Sequence, residues 1–409
     1  MGTQAVDLSS VKSEFPALVQ ATAGKPLHYL DSAATTQRPE SVIQDVDAFY
    51  RTHNANVHRG VYELSQLATE DYERARASVA AWLNSPSPEQ VVFTKGCTES
   101  LNLVASAWGG TNIRPGDRVF VSTMEHHSNL VPWQVIAEAR GAELVPIPVT
   151  DGVELDLSWL ESNLDESVKV VALKAVCNVS GTVNPIQEVA RLAHGVGAVV
   201  VVDAAQALAH QKVDVQEWDA DFVAVTAHKA FGPMGVGALY GRADLLHAMP
   251  PYQTGGGMVR GVSFERTGFA EIPDRFEAGT PNVGGAVGFE SALKFIQRVG
   301  IERIGAHETD LAEATRQRLQ MIEGVQVHGN AKRRAGIVSF TLDGVHPHDI
   351  GTVLSEQGVA VRVGHHCCMP LMERLRIHAT VRASYSVYND LSDVDALIAA
   401  VQKAKEILA

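Results

Sequence analysis

Residues 199–233 read VVVVDAAQALAHQKVDVQEWDADFVAVTAHKAFGP, and the fold is decided there. The runs 199–202 and 222–226 are short and continuously apolar. Without polar alternation they fit strands buried on both faces of a parallel sheet. Each runs into charge, the first into Asp203 and the second into His228 and Lys229. A carboxylate and an amine therefore fall just past the carboxyl edge of the sheet, where open α/β sheets bind ligands.

Taken alone, the two charges also fit a structural ion pair. Their type and order fit a chemical task as well. A lysine that forms a Schiff base needs its amine desolvated. A carboxylate facing the pyridine nitrogen of pyridoxal phosphate keeps that nitrogen protonated, so the ring works as an electron sink. Asp203, Gln206, His228 and Lys229 are the candidates for these jobs.

Upstream, 168–176 reads as a further strand, followed by Asn178 and the turn Ser180-Gly181-Thr182. The spacing from there to Gly241 is that of a repeated βα unit and hence of a mainly parallel sheet. Another strand, 118–124, leads into Glu125-His126-His127-Ser128-Asn129. His126 thus shares an edge with Asp203, as a ring laid on a flat cofactor or as a hydrogen-bonded loop histidine. After a strand at 91–94, GCTES at 96–100 opens a helix running through Trp108. Gly96, Cys97 and Thr98 offer backbone N–H groups and a hydroxyl to a phosphate, although ordinary helix caps look the same. Helical spacing recurs at 41–50 and 64–83, with a polar loop between them. Residues 7–20 read as a short helix interrupted by Pro16, and 27–36 as a short strand entering a small-residue turn.

Downstream, 250–285 holds GGG at 255–257 and FEAGTPN at 276–282 without helical period, as functional or interfacial segments do. It also marks the expected domain boundary. Helices follow at 286–299, 301–321, 348–357 and 392–408, the last capped through Ser392 and Asp395. Strands at 325–328, 336–342, 359–363 and 381–387 complete a smaller α/β layer.

At 409 residues the chain exceeds one ordinary core, so two domains are expected. A net charge of −13 without a basic stripe argues against nucleic-acid binding. The first twenty residues lack a basic segment followed by an apolar run, and no apolar run approaches the ~20 residues of a membrane span. Cys97, Cys177, Cys367 and Cys368 form no CxxC pair, which suits a reducing cytoplasm. The stretch RVGHHCCMP at 362–370, with His346 and His348 nearby, invites a metal reading. Adjacent cysteines are awkward ligands for one tetrahedral ion, and the spacing fits no common zinc knuckle. A nucleophilic thiol fits better, its thiolate favoured by a nearby imidazolium or by Arg362.

Together, EHHSNLVPWQ at 125–134, NVSGTVNP at 178–185, VDAAQ at 202–206, TAHKAFGP at 226–233, EAGTPN at 277–282 and RVGHHCCMP at 362–370 resemble the Suf-type, group II cysteine desulfurases. These are fold-type I pyridoxal phosphate enzymes of the class V aminotransferase superfamily, and the resemblance spans about residues 30–389. It implies a large α/β domain, 20–290, built on a mainly parallel seven-stranded sheet with helices on both faces. A smaller α/β domain, 1–19 with 291–409, carries the nucleophile loop. It further implies that Lys229 holds the cofactor and moves the substrate's Cα proton, Asp203 faces the pyridine nitrogen, Gln206 bonds the phenolic oxygen and His126 stacks on the ring. Gly96, Cys97, Thr98, Thr226 and His228 bind the phosphate, and Thr280 reaches that of a partner subunit. Asn178 and Arg382, with Arg362 beside them, hold the carboxylate of L-cysteine, and Cys367 takes its sulfur as a persulfide and releases alanine.

Cys97 departs from the family's usual threonine, and Cys368 from its alanine, as a packed neighbour of the nucleophile. The segment His346-Pro347-His348-Asp349 resembles the branch whose sulfur acceptor is a zinc-bearing SufU-like protein rather than a SufE-like one, with His348 meeting the acceptor's zinc. A cytoplasmic homodimer feeding iron–sulfur cluster assembly, without resident metal, nucleic acid or membrane, completes what is implied. A selenocysteine lyase of the same fold is the alternative, and a non-catalytic metal-binding scaffold is a third reading.

Overall fold

The computed structural model of the chain describes residues 8–22 and 24–409; residues 1–7, part of the segment searched for a leader, lie outside the described residues. Seven strands form the main sheet: β1 Val91–Thr94, β2 Arg118–Ser122, β3 Glu143–Ile147, β4 Val168–Lys174, β5 Val199–Asp203, β6 Phe222–Thr226 and β7 Gly237–Gly241. Their spatial order is β1-β7-β6-β5-β4-β2-β3. Only β7 runs antiparallel to its neighbours, β1 and β6. The other adjacent pairs are parallel.

The side chains of the central strands alternate between two cores. Val200, Val202, Val223 and Val225 face one, with the helices Ile186–His194 and Val283–Val299. Val201, Phe222 and Ala224 face the other, with Leu101, Trp108 and Trp133. Helices on both faces leave no solvated side, hence the continuous apolar runs.

Two features differ from the sequence reading of this layer. The βα repeat stops at β6, because only a short helical turn, Ala227–Lys229, and a loop separate β6 from β7. Without a crossover helix the chain can only turn back antiparallel. That reversal carries Lys229 onto the sheet edge. The sequence reading also passes over β3, an edge strand interrupted by Pro146.

A second, wholly antiparallel sheet comprises β8 Val325–His328, β9 Ile337–Leu342, β10 Arg362–Gly364 and β11 Thr380–Ser384, ordered β8-β9-β11-β10. Leu311, Phe340, Leu354, Val381, Tyr385 and Leu397 belong to its core. The single strand expected at 359–363 is divided: Val359–Ala360 pairs in parallel with His28–Tyr29, and β10 joins the second sheet. The last helix, Leu391–Leu408, is capped by Asp390, which accepts from Ser392 N at 2.8 Å while Asp393 accepts from Asp390 N at 2.9 Å. The capping box thus begins before the expected Ser392, at the residue preceding the first helical turn. Inside the aperiodic 250–285 stretch, Val259–Val262 and Thr267–Phe269 form a hairpin with Phe264 exposed at its tip.

Candidate active site

A cavity of about 1000 Å³ opens at the carboxyl edge of the main sheet and is completed by the β10–β11 side of the second sheet. Every residue expected in the site lines it except Thr280 and His348. Thr280 is exposed in the loop before the helix Val283–Val299. His348 is exposed at the start of the helix Pro347–Glu356, its ring stacked on that of His346 at 5.4 Å.

Strand ends supply the acid and the amine. Asp203 terminates β5, is 5% exposed and accepts from Ala205 N at 2.9 Å. Burial pulls the Lys229 amine below the ordinary lysine range; Asp203 opposes this, and Arg382 and Lys174 add to it. The amine is thereby moved toward the neutral form that adds to a carbonyl. Burial, reinforced by Lys174 and Lys229, drives His126 down to about 3. Because Ser128 N donates to His126 Nδ1 at 3.1 Å, the neutral ring is assigned its proton on Nε2. An uncharged imidazole can lie against a heterocycle without the cost of burying an ion.

The turn at Gly96, the expected phosphate cradle, is built from close backbone contacts. Gly96, with φ of +145°, precedes the helix starting at Cys97. A Cβ at Gly237 would lie 2.6 Å from Gly96 Cα and 2.5 Å from Val225 O, so β7 presses directly on this turn. First-turn N–H groups have no partner within their own helix. With the hydroxyls of Thr98 and Thr226 on the same wall, they suit a phosphate dianion. Burial, with Asp203 nearby, raises the Cys97 thiol well above its usual range, so Cys97 contributes as a neutral side chain. The amine, acid, flat ring and anion cradle together fit pyridoxal phosphate.

The opposite wall carries two arginines joined through one aspartate. Arg382 is 3% exposed; its guanidinium reaches Asn178 O at 2.9 Å and Asp31 at 3.4 Å, and its buried Nε has no protein partner among the described residues. Asp31 also holds Arg362 at 2.8 Å. A carboxylate entering the cavity can take charge-assisted bonds from the Arg382 guanidinium on its wall.

Cys367 alone of the four cysteines is exposed. Its loop is pinned: His127 N donates to Cys367 O at 2.8 Å, and Cys367 N donates to His365 Nδ1 at 3.1 Å. His366 and Cys367 have φ of 53° and 52°, a left-handed pair that non-glycine residues adopt at a cost. Cys368 is buried, donates to Met124 O at 3.0 Å, and has its thiol pushed up to about 12 by burial. It does not line the cavity.

Two residues escaped the sequence reading, Lys174 on the cavity wall and Asp31 between the two arginines. Lys174 ends β4 as Asp203 ends β5, and the two are register partners. The rule that singled out Asp203, a charge closing an apolar strand, would have found it. Asp31 carried no such signal. Among the described residues, no three or more His, Cys, Asp or Glu side chains gather as a metal-binding group.

Residues 28–397 match the family described as aminotransferase class-V. The chain is 45% identical over 396 residues to a probable cysteine desulfurase of Halalkalibacterium halodurans, covering 97% of each. It is 44% identical over 403 residues to a cysteine desulfurase of Pectobacterium carotovorum, covering 98% of each. The crystal structure of the cysteine desulfurase CsdA from Escherichia coli is similar with a TM-score of 0.92 at 38% identity, over 99% of this chain and 100% of that one. The apo structure of a cysteine desulfurase from Thermococcus onnurineus reaches 0.93 at 38% identity with the same coverage.

Proposed function

The chain belongs to the class V aminotransferase family, among its pyridoxal phosphate-dependent cysteine desulfurases, and we propose that it converts L-cysteine to L-alanine with the sulfur passing to Cys367 as a persulfide. The observation that carries this reading is that Cys367, the one exposed thiol, stands on the rim of the cavity that holds Lys229, Asp203, His126 and Arg382. When bound, pyridoxal phosphate supplies the electron sink that makes the bonds around the substrate's Cα labile.

The protein's own groups do the rest. The Arg382 guanidinium takes the substrate carboxylate and orients the molecule, assisted by Asn178. Lys229, with its amine biased toward neutrality, accepts the Cα proton and later returns a proton to the carbon skeleton. The Cys367 thiolate attacks the substrate sulfur; the S–S bond forms as the C–S bond breaks, and the released carbon skeleton leaves as alanine. Asp203 would balance positive charge on the cofactor at the cavity floor, and neutral His126 would offer its flat ring to the cofactor's.

The finer features belong to the same proposal. The RVGHHCCMP loop favours the Suf-type, group II branch, with the persulfide sulfur passed on for iron–sulfur cluster assembly. The stacked, exposed His346 and His348 favour a zinc-bearing, SufU-like acceptor. Exposed Val61, Tyr62, Val262 and Phe264 suit a homodimer, in which Thr280 reaches the partner's phosphate. The chain then divides into a cofactor domain at 20–290 and a smaller domain, 1–19 with 291–409, and acts in the cytoplasm.

The test is alanine release from L-cysteine with a reductant present, for wild type and Cys367→Ser. Alanine from wild type alone is expected. Equal release by both refutes the Cys367 persulfide, and turnover of selenocysteine alone would make the chain a selenocysteine lyase. For the acceptor, His348→Ala keeps basal turnover and loses stimulation by a SufU-like protein; stimulation equal to wild type refutes that assignment.

A further inference from the structure

The cavity contains a second buried lysine that the reaction outlined above does not use. Lys174 is 2% exposed and ends β4 beside Asp203. Its Nζ donates to Asn178 Oδ1 at 2.6 Å. On the far side of the same amide, Asn178 Nδ2 donates to His366 O at 2.9 Å, one residue before the nucleophile. We propose that Lys174 is a positioning residue that fixes the orientation of the Asn178 amide and through it locks the Cys367 loop.

The two ends of an asparagine amide are alike in shape, so its orientation is set by what faces it. An ammonium only donates, which forces Oδ1 toward Lys174; a carbonyl only accepts, which requires Nδ2 toward His366. Each contact therefore enforces the other. If the amide turned over, an N–H would face the ammonium and an oxygen the carbonyl, and both buried contacts would be lost at once. Burial works against the charge on Lys174, while the Asp203 carboxylate beside it favours the ammonium, and the balance lies on the side of the charged form. Glu125 is itself held in place, accepting from Ser122, Lys174 N and Asn129. The lock stabilises a loop whose His366 and Cys367 sit in left-handed backbone, a conformation that needs outside support.

The inference rests on the proposed role of Cys367, but its test needs no turnover. In the holoenzyme carrying Cys367→Ser, Cys368 is the only thiol of the loop and is buried beneath it. Its labelling by iodoacetamide, read by mass spectrometry of the loop peptide together with hydrogen exchange of that peptide's amides, which does not depend on the thiol's ionisation, reports release of the loop. Lys174→Met keeps the length and apolar stem but cannot donate; Asn178→Asp keeps the partner of Lys174 but cannot donate to His366 O. Each is expected to speed Cys368 labelling by roughly tenfold or more, the first through loss of a charge-assisted hydrogen bond and the second by leaving the buried His366 carbonyl without its donor. Because both act through one amide, the double variant should label no faster than the faster single one. Labelling within twofold of the parent in either single variant, or rates that multiply in the double, overturns the proposal. Lys174→Gln, too short to reach Asn178, replaces Lys174→Met if that variant does not fold and is held to the same outcomes. Failure here with Cys367-dependent alanine release intact removes the lock and leaves the desulfurase reading; loss of Cys367 dependence does the reverse.

Discussion

Acid should destabilise this protein through histidines that are buried uncharged, and His328 allows the effect to be measured away from the cavity. His328 ends β8, is 5% exposed, and its Nε2 lies 2.9 Å from Thr341 Oγ1. Burial alone drives its pKa down to about 4. The unfolded chain binds this proton below about 6.5, while the folded chain resists it until about 4. Within that window the unfolded state holds more protons, so stability falls as the pH falls. Each pH unit below the unfolded value costs about 1.4 kcal/mol, which gives roughly 2 kcal/mol for His328 by pH 5. His126, His228 and His366, at about 3, about 4 and about 2, act in the same direction. Glu125, raised by burial to about 7, acts in the opposite one, because lowering the pH neutralises a carboxylate that folding disfavours. The total is therefore a difference of opposing effects, and the contribution of one residue is the better observable. Urea unfolding of wild type and His328→Gln at pH 7.5 and 5.0, at fixed salt and saturating cofactor, isolates it. The variant should lose about 2 kcal/mol less than wild type between the two conditions. An identical loss in both proteins would show that His328 takes up its proton in the folded state, and the assignment of a buried neutral ring would be wrong.

Cys368→Ala should turn over L-cysteine within about twofold of wild type, since its thiol faces Met124 O rather than the cavity, while losing about 1–2 kcal/mol of stability from one hydrogen bond and a small void. A fall in alanine release to the level of Cys367→Ser would instead make Cys368 part of the sulfur path. Gly237→Ala should lower retention of pyridoxal phosphate on gel filtration, read from visible absorbance, because the new Cβ meets the backbone of both Val225 and Gly96 and must displace the phosphate turn. Retention equal to wild type would show that the turn does not depend on this contact.

The central strands were legible because both of their faces are buried, so the chain there carries one unambiguous composition. Val199–Asp203 and Phe222–Thr226 appear in the structure as the sequence suggests, and their ends place Asp203 and Lys229 on one cavity. The direction of β7 was not legible, because strand composition carries no information about polarity. Only the missing crossover helix between Thr226 and Gly237 reveals it. The edge strand β3 was hidden by Pro146 and by the solvated side of an edge, which dilutes the apolar pattern.

Within the site, legibility followed chemistry that is strange in its local setting. A carboxylate closing a run of valines, or two cysteines among histidines, stands out residue by residue. Asp31 does not, because an aspartate before a small-residue turn is ordinary, and its meaning comes from Arg362 and Arg382 more than 300 residues away in the chain. Lys174 lies between these cases. It closes an apolar strand as plainly as Asp203 does, yet its significance depends on which way one amide points, and that depends on a carbonyl in the second sheet's loop. Cys367 thus comes from a loop of one sheet and Lys229 from the edge of the other. The Asn178 amide links them, donating to the loop before Cys367 while its own backbone carbonyl accepts from Arg382. A displacement of either sheet would break both contacts, so the geometry between Cys367 and the main sheet is fixed by polar groups that no local stretch of sequence contains.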